Sequence, residues 1–435
     1  MVISIDGYKQ RRAQLCARMG EGLAIVPTAP EKARNRDSHY PYRFDSYFYY
    51  LTGFPEPDAV LVLIAGDTPR SILFCRPRSE EREIWDGFRY GPDGAREAFG
   101  FDESYPIDAI DEQMPKLMAD RTKLYFTLGA ETAWDARVTS WLNAVRAQVR
   151  TGVRAPSEIA DLRALIDEMR LRKDPEELAT MRRAATISAG AHRRAMRFAR
   201  PGVREYEVEA EILHEFVRNG AQAPAYTSIV ASGANACVLH YITNRDVLQA
   251  EDLLLIDAGC ELDGYASDIT RTFPVDGRFT GTRKAVYELV LEAQAQAIAV
   301  VRPGEGFIDP HDAAVRVLAR GLIDLGLLQG EVDGIIESGA YKRFYMHRTG
   351  HWLGLDVHDA GEYGAEGRWK ALAPGMVLTV EPGLYIRRAA DVPERFWGIG
   401  VRIEDDVLVT ATGNEILTTA APKSVADIEA VMAGR

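Results

Sequence analysis

The chain has 435 residues and carries 64 acidic against 52 basic side chains, a formal charge of −12 with histidines neutral. Its 46% hydrophobic and 27% charged residues are ordinary for a globular protein, and the length supplies more than one core, so disordered and fibrous architectures are excluded. The acidic surplus argues against a nucleic-acid partner, which would need a concentrated Lys/Arg face. Cys16, Cys75, Cys237 and Cys260 are scattered with no C-x-x-C pair. That pattern fits a reducing compartment and rules out a cysteine zinc site. The opening MVISIDGYKQRR places an acid at Asp6 and has no basic head followed by an apolar stretch, so no signal peptide is expected. No run near 20 apolar residues offers a membrane span, and a cytoplasmic protein is the expectation.

The first 130 or so residues read as mixed α/β, with AVLVLIAGD, RSILFCR and KLYFTLG as strands. The aromatic stretch YPYRFDSYFYYLTGF reads as packing, with Asp37 just before it free to face a cleft. SEIADLRALIDEMRL sets Ile159, Leu162, Ile166 and Met169 at helical spacing. A second helix start follows in KDPEELATM, where Asp174 caps, Pro175 suits the first helical position and Glu177 completes a capping box. The charge-rich RLRKD between them marks a domain boundary near residue 172, giving domains 1–172 and 173–435.

The second half reads as an internal duplication. Two helical stretches end in Arg-Pro-Gly, at Arg200-Pro201-Gly202 and Arg302-Pro303-Gly304, and each leads into a further amphipathic helix. Val208, Ile212 and Phe216 line one face of the first; Ala314, Val317 and Leu318 line the second. Strands bearing acids come after each pair: LLLIDAG and YASDITRTF, then MVLTVEPG and GVRIEDDVLV. The repeat aligns Asp257 with Glu381 and Asp268 with Glu404, which implies two αβ halves about a pseudo-twofold axis.

Acids within such apolar strands need partners, because an uncompensated buried carboxylate costs several kcal/mol. Arg271, Arg402 or backbone amides are the plain structural answer for any single acid. Four acids together point instead to chemistry. Asp263-Gly264 is a two-residue hairpin turn that puts residue 257 opposite residue 270, so Asp268 lies diagonally across from Asp257, about 7 to 8 Å away and on the same face. Of the eight histidines, His240, His347, His351 and His358 accompany these strands, three of them within MHRTGHWLGLDVHD. His39, His192, His214 and His311 read as surface or core residues. Two Asp, two Glu and one His suit hard or borderline divalent ions, manganese foremost, with cobalt, iron or zinc also possible. Two such ions about 3.5 to 4 Å apart would make the chain a two-metal hydrolase.

These motifs resemble the creatinase/aminopeptidase family with the pita-bread fold, and within it the aminopeptidase P branch. The resemblance runs from RNRDSHYPYR and YLTGFPEPDAVLVL to IDAGCELDGYASDITRTFPV, HWLGLDVHD, LTVEPGLYI and GVRIEDD. It implies a smaller N-terminal α/β domain, concerned with substrate access and oligomerisation, ahead of a catalytic pita-bread domain. It also implies that Asp257, Asp268, His351, Glu381 and Glu404 ligate two metal ions, with Asp268 and Glu404 bridging. Glu381 would relay protons, His240 and His358 would hydrogen-bond substrate and the tetrahedral intermediate, and Arg402 would support them. His347, Tyr385 and Asp37 would line the substrate site. The implied substrates are peptides with proline at position two, cleaved before the proline.

The resemblance breaks at Arg348-Thr349-Gly350, where the family commonly has Gly-Leu-Ser, and Arg348 adds a charge beside the expected pocket. Prolidase, restricted to Xaa-Pro dipeptides, is the nearest alternative; a non-catalytic binding protein on the same fold would be expected to lack metal ligands. A dimer or tetramer is expected by the same analogy, with Trp85 and the Tyr47 to Tyr50 aromatics at its interfaces.

Overall fold

The computed structural model describes residues 3–434, which divide between Arg170 and Leu171 into two compact units. The division falls inside the RLRKD segment.

In the N-terminal unit the apolar runs form strands Val60–Ala65, Arg70–Cys75 and Lys123–Tyr125 of one six-stranded mixed sheet. Strand Gly22–Pro27 lies inside it, antiparallel to Val60–Ala65 and parallel to Lys123–Tyr125. Continuous burial along Val60–Ala65 explains why that run is apolar throughout instead of alternating. Helices Ile110–Met118 and Thr132–Arg146 close the core with Met114, Met118, Val138, Trp141 and Leu142.

Two expectations change here. Ile159 does not begin a helix: strand Glu158–Ala160 pairs with Lys123–Tyr125, and the helix starts at Arg163, whose N–H donates to Asp161 (3.0 Å). An open sheet edge with unpaired backbone groups outweighs helical spacing. The aromatics Phe48, Tyr49 and Tyr50 are buried within the helix Ser46–Thr52 and belong to the unit's own core, whereas Trp85 stays 79% exposed.

The C-terminal unit opens with helix Pro175–Phe198, whose start is the capping box expected: Asp174 accepts the N–H groups of Glu176 and Glu177, and Glu177 accepts that of Asp174. Helix Glu205–Arg218 packs on it through Val208, Ile212 and Phe216, all fully buried. A three-stranded sheet follows, ordered Ile229–Ser232, Leu253–Asp257, Thr270–Pro274. The pattern then repeats: helices Gly281–Ala299 and Asp309–Asp324 pack together, and strands Val377–Val380, Asp405–Val409 and Asn414–Ile416 form a second three-stranded sheet. One hydrophobic core joins both copies, from Phe216 and Leu254 through Val290 and Leu318 to Val380 and Val407.

Near the start of this unit, Lys173 and Asp359 form an ion pair at 2.9 Å with both side chains only 1% exposed. Removing one partner leaves an uncompensated buried charge, so Lys173→Met should destabilise the protein by about 3 to 5 kcal/mol. Lys173→Met combined with Asp359→Leu should recover most of that loss. Urea unfolding of the two variants beside the parent checks both statements.

Candidate active site

The two acids of the first copy are brought together by a turn and a glycine. Asp263 and Gly264 both take positive φ, 51° and 85°, as a tight Asp-Gly hairpin requires. The turn sets Leu262 opposite Tyr265 and, further along, Asp257 opposite Thr270. Between them, a Cβ on Gly259 would lie 1.7 Å from the Ser267 carbonyl oxygen, so only glycine lets the chain leaving Asp257 pass beside the chain entering Asp268. Both carboxylates then reach one hydroxyl, that of Tyr226, at 2.6 Å from Asp257 and 2.5 Å from Asp268.

The second copy delivers its acids equivalently, Glu381 just past strand Val377–Val380 and Glu404 just ahead of strand Asp405–Val409. His351 is fixed to the same strand, giving its N–H to Thr379 Oγ1 (3.1 Å) and accepting the Thr379 N–H (2.9 Å). Its imidazole Nε2 stands 3.6 Å from Asp268 and 3.9 Å from Glu381. Asp268, His351 and Glu404 offer donor atoms all within 4.8 Å of one another.

Charge is poorly balanced in this cluster. Arg402 donates to Asp257 at 2.7 Å and to the Tyr385 hydroxyl at 3.0 Å, and Thr270 donates to Glu404 at 2.6 Å. Burial, helped by the neighbouring acids, pushes the Glu404 carboxyl well up, and burial likewise lifts Asp268. Burial raises Glu381 to about 7, although His351 and Arg402 pull the other way. Burial opposes charge on His351, yet Asp268 and Glu381 drive its imidazole up to about 9. The pattern is that of anionic oxygens lacking positive charge.

A cation fits these residues on the hydrogen bonds alone. Tyr226 has one proton to share between two carboxylate oxygens. His351 gives its Nδ1 proton to the Trp352 carbonyl (2.9 Å), so Nε2, facing the acids, is the nitrogen on which a metal ion would take the place of a proton. An oxygen-rich set with one imidazole is the chemistry of divalent metal ions.

The cluster opens onto a cavity of about 1050 Å³. Its wall includes all five of these candidates, together with His240, His347, His358 and Arg402. The His351 and His358 rings approach to 4.3 Å. Burial, with the Arg402 charge adding to it, holds His347 down at about 4, so it is neutral near pH 7. Burial also lowers His358.

Two residues, Tyr385 and His311, depart from expectation. Tyr385, expected to touch substrate, is 1% exposed and sits behind the wall, where its hydroxyl links His347 Nε2 (2.8 Å) to Arg402. Asp37 lies exposed in the turn between strands Ala33–Asn35 and Ser38–His39 of the N-terminal unit, free to face a cleft as expected of it, and its place at the substrate site stays a proposal. His311, read as a surface or core histidine, lines the cavity and bonds Thr349 Oγ1 at 2.8 Å. The roles of Tyr226 and Thr270 have no signal in the sequence, since a Tyr or Thr in or beside a strand carries no distinguishing pattern.

Two αβ halves presenting paired acids and a histidine to one buried cluster define a metallohydrolase of the pita-bread class. The chain belongs to metallopeptidase family M24, whose model matches residues 179–411, and residues 8–125 match the aminopeptidase P N-terminal domain. It is 47% identical over 433 residues to the Xaa-Pro aminopeptidase of Escherichia coli strain K12, covering 99% of this chain and 98% of that one. Human Xaa-Pro aminopeptidase 3 is 35% identical over 418 residues, 94% of this chain and 80% of the relative. Among solved structures, Pseudomonas aeruginosa aminopeptidase PepP superimposes with a TM-score of 0.98 at 52% identity, covering 100% and 99% of the two chains. Zinc-substituted Escherichia coli aminopeptidase P in complex with product gives 0.97 at 47% identity, with the same coverage.

If Asp268 is shared between two ions, Asp268→Ala should abolish turnover and lower bound metal together. Elemental analysis of the purified variant beside the parent tests this; two retained ions with near-normal turnover would overturn the assignment.

Proposed function

We propose that the chain is a metal-dependent Xaa-Pro aminopeptidase, releasing the N-terminal residue from peptides with proline at position two. The observation carrying this reading is that likeness to Xaa-Pro aminopeptidases spans essentially the whole chain, both units included, while Asp268, His351 and Glu404 bring donor atoms within 4.8 Å of one another. Asp257, Asp268, His351, Glu381 and Glu404 would hold two divalent ions, and the preponderance of oxygen donors favours manganese. Bound there, the ions would polarise the scissile carbonyl and ease deprotonation of the attacking water.

The remaining work falls to side chains. Proline's nitrogen is a tertiary amide without N–H and must be protonated as it departs. Glu381, on the cavity wall beside the ions it would help to hold, would take a proton from the water and pass it to that nitrogen. His240 and His358, exposed on the cavity wall, donate hydrogen bonds to the substrate and to the developing oxyanion. His347 is oriented by the Tyr385 hydroxyl on Nε2 and gives its Nδ1 proton to the Arg348 carbonyl, so it presents a fixed ring face beside Glu381. Arg402 holds Asp257 and Tyr385 in register and is a positioning residue.

The four free, buried cysteines support a cytoplasmic setting. Ile84, Trp85 and Phe88, 66% or more exposed in the N-terminal unit, support association of copies.

The specificity claim is tested by mass spectrometry of products from Arg-Pro-Pro-Xaa, Arg-Ala-Pro-Xaa and an N-acetylated control. Release of Arg from the first alone is expected; equal cleavage of either other peptide would overturn it, and cleavage of dipeptides alone would favour a prolidase. His358→Ala should keep its metal and lose on the order of 10² to 10³ in kcat. Parallel metal analysis and steady-state kinetics check this, and loss of metal would make His358 a ligand.

A further inference from the structure

The cavity wall holds one cation that the reaction above does not use. Arg348 lines the cavity and is exposed, as a residue at its mouth must be. Its guanidinium lies over the Trp369 ring, 5.3 Å from the centroid, and Trp369 lines the same cavity at 44% exposure. Among the described residues Arg348 has no ion-pair partner, in contrast to Arg402 on the same wall, which is tied to Asp257.

The backbone on either side of Arg348 is held firmly. His347 Nδ1 donates to the Arg348 carbonyl at 2.7 Å. Thr349 is buried, with its hydroxyl between Tyr345 (2.5 Å) and His311 (2.8 Å). Gly350 is pressed against the next strand, where a Cβ would lie 2.0 Å from the Thr379 carbonyl oxygen. The charge is therefore placed and not free to wander with a loop. The guanidinium carbon sits over the Trp369 ring, and among the described residues its N–H donors make no hydrogen bond, which leaves them open to a planar carboxylate. Nearby wall groups do not compete: Phe307, Ile308 and Pro310 are apolar, and His311 is neutral near pH 7, held down at about 4 by burial with Arg348 adding to it. Asp312, exposed on the helix Asp309–Asp324, makes no ion pair with Arg348.

We propose that Arg348, braced on Trp369, is a specificity-determining residue that anchors a carboxylate of the bound peptide. The inference rests on the peptide-cleaving reading above and adds to it a preference for substrate charge. A peptide can present that carboxylate in two ways, as its own C-terminus when it is short or as an acidic side chain.

The test uses the metal-loaded enzyme and two matched peptide pairs. The first is Ala-Pro-Ala with a free C-terminus against its amide. The second is an amidated Ala-Pro pentapeptide with Glu against Gln at position three. Calorimetric Kd and kcat/KM are measured for each. The carboxylate member of at least one pair should be favoured about threefold to tenfold, less at high salt. In Arg348→Gln that ratio should fall toward one, and Arg348→Lys should retain part of it, since charge survives but the planar stack does not. Preference in the first pair assigns the C-terminus; preference in the second assigns the side chain. Equal affinities in both pairs, or a ratio that Arg348→Gln leaves intact, would overturn the proposal. Failure of the proline reading would look different: an alanine-at-two peptide would be cleaved equally well, and its acid and amide forms would still report the ratio at Arg348.

Discussion

The constraint on which the site depends is the burial of four carboxylates around too little positive charge. Asp268 and Glu404 are no more than 5% exposed, and Asp257 and Glu381 look into the same cavity. An arrangement of this kind opposes folding until something compensates it. Arg402 offsets Asp257, and Tyr226 and Thr270 supply hydrogen bonds, but the upward drift of Glu404, Asp268 and Glu381 marks what is left over. Metal affinity is thus built into the fold as an electrostatic deficit, and the protein's stability and its cation binding are linked quantities.

The duplicated architecture supplies the geometry that makes such a deficit possible. Each copy places one acid at or just past the end of a strand, Asp257 and Glu381, and another just ahead of its partner strand, Asp268 and Glu404, so the site acids fall at equivalent ends of the two strand pairs. Arg271 binds the halves together at that point. Fully buried, it donates to the carbonyls of Thr270 and Glu404 and to the Asp405 carboxylate at 2.7 Å, while Lys423 braces Asp405 from the other side. The reading of Arg271 as a direct partner of the site acids gives way to a more useful role. It fixes the backbone that carries Glu404, and Asp405 rather than Glu404 is its counterion. Burial resists ionisation of Asp405, but Arg271 and Lys423 outweigh it and hold that carboxyl low, the reverse of the state of its neighbours.

Local chemistry was the part of this molecule most legible in the sequence. The Asp263-Gly264 turn fixes a register that follows by counting, and the Asp174 capping box fixes a helix start in the same way. Acids in apolar strands are conspicuous because their cost is large. What sequence could not supply was anything set by tertiary proximity. Ile159 belongs to a strand because a sheet edge happens to lie beside it, and periodicity cannot see that edge. Tyr226, Thr270 and Trp369 are common residue types in unremarkable surroundings, and their importance arises only from what the fold brings within 3 Å to 6 Å of them. His311 and Tyr385 exchange places for the same reason: one reaches the cavity from a helix of the second copy, the other is walled off behind His347.

The segment from His347 to His351 shows how these two kinds of information combine. His347 is oriented by Tyr385, Thr349 is locked by Tyr345 and His311, Gly350 is compelled by the Thr379 carbonyl, and His351 is pinned to the same strand. Four of five consecutive residues are therefore committed to holding the donor cluster. Arg348 alone has its side chain directed to none of these contacts, resting on Trp369 at the cavity's mouth. A side chain in that position can change without disturbing the metal-binding geometry, because the backbone beneath it is secured by its neighbours. Selection of substrates can then be tuned at residue 348 while the chemistry stays fixed, and this separation follows from the hydrogen bonding of one short loop.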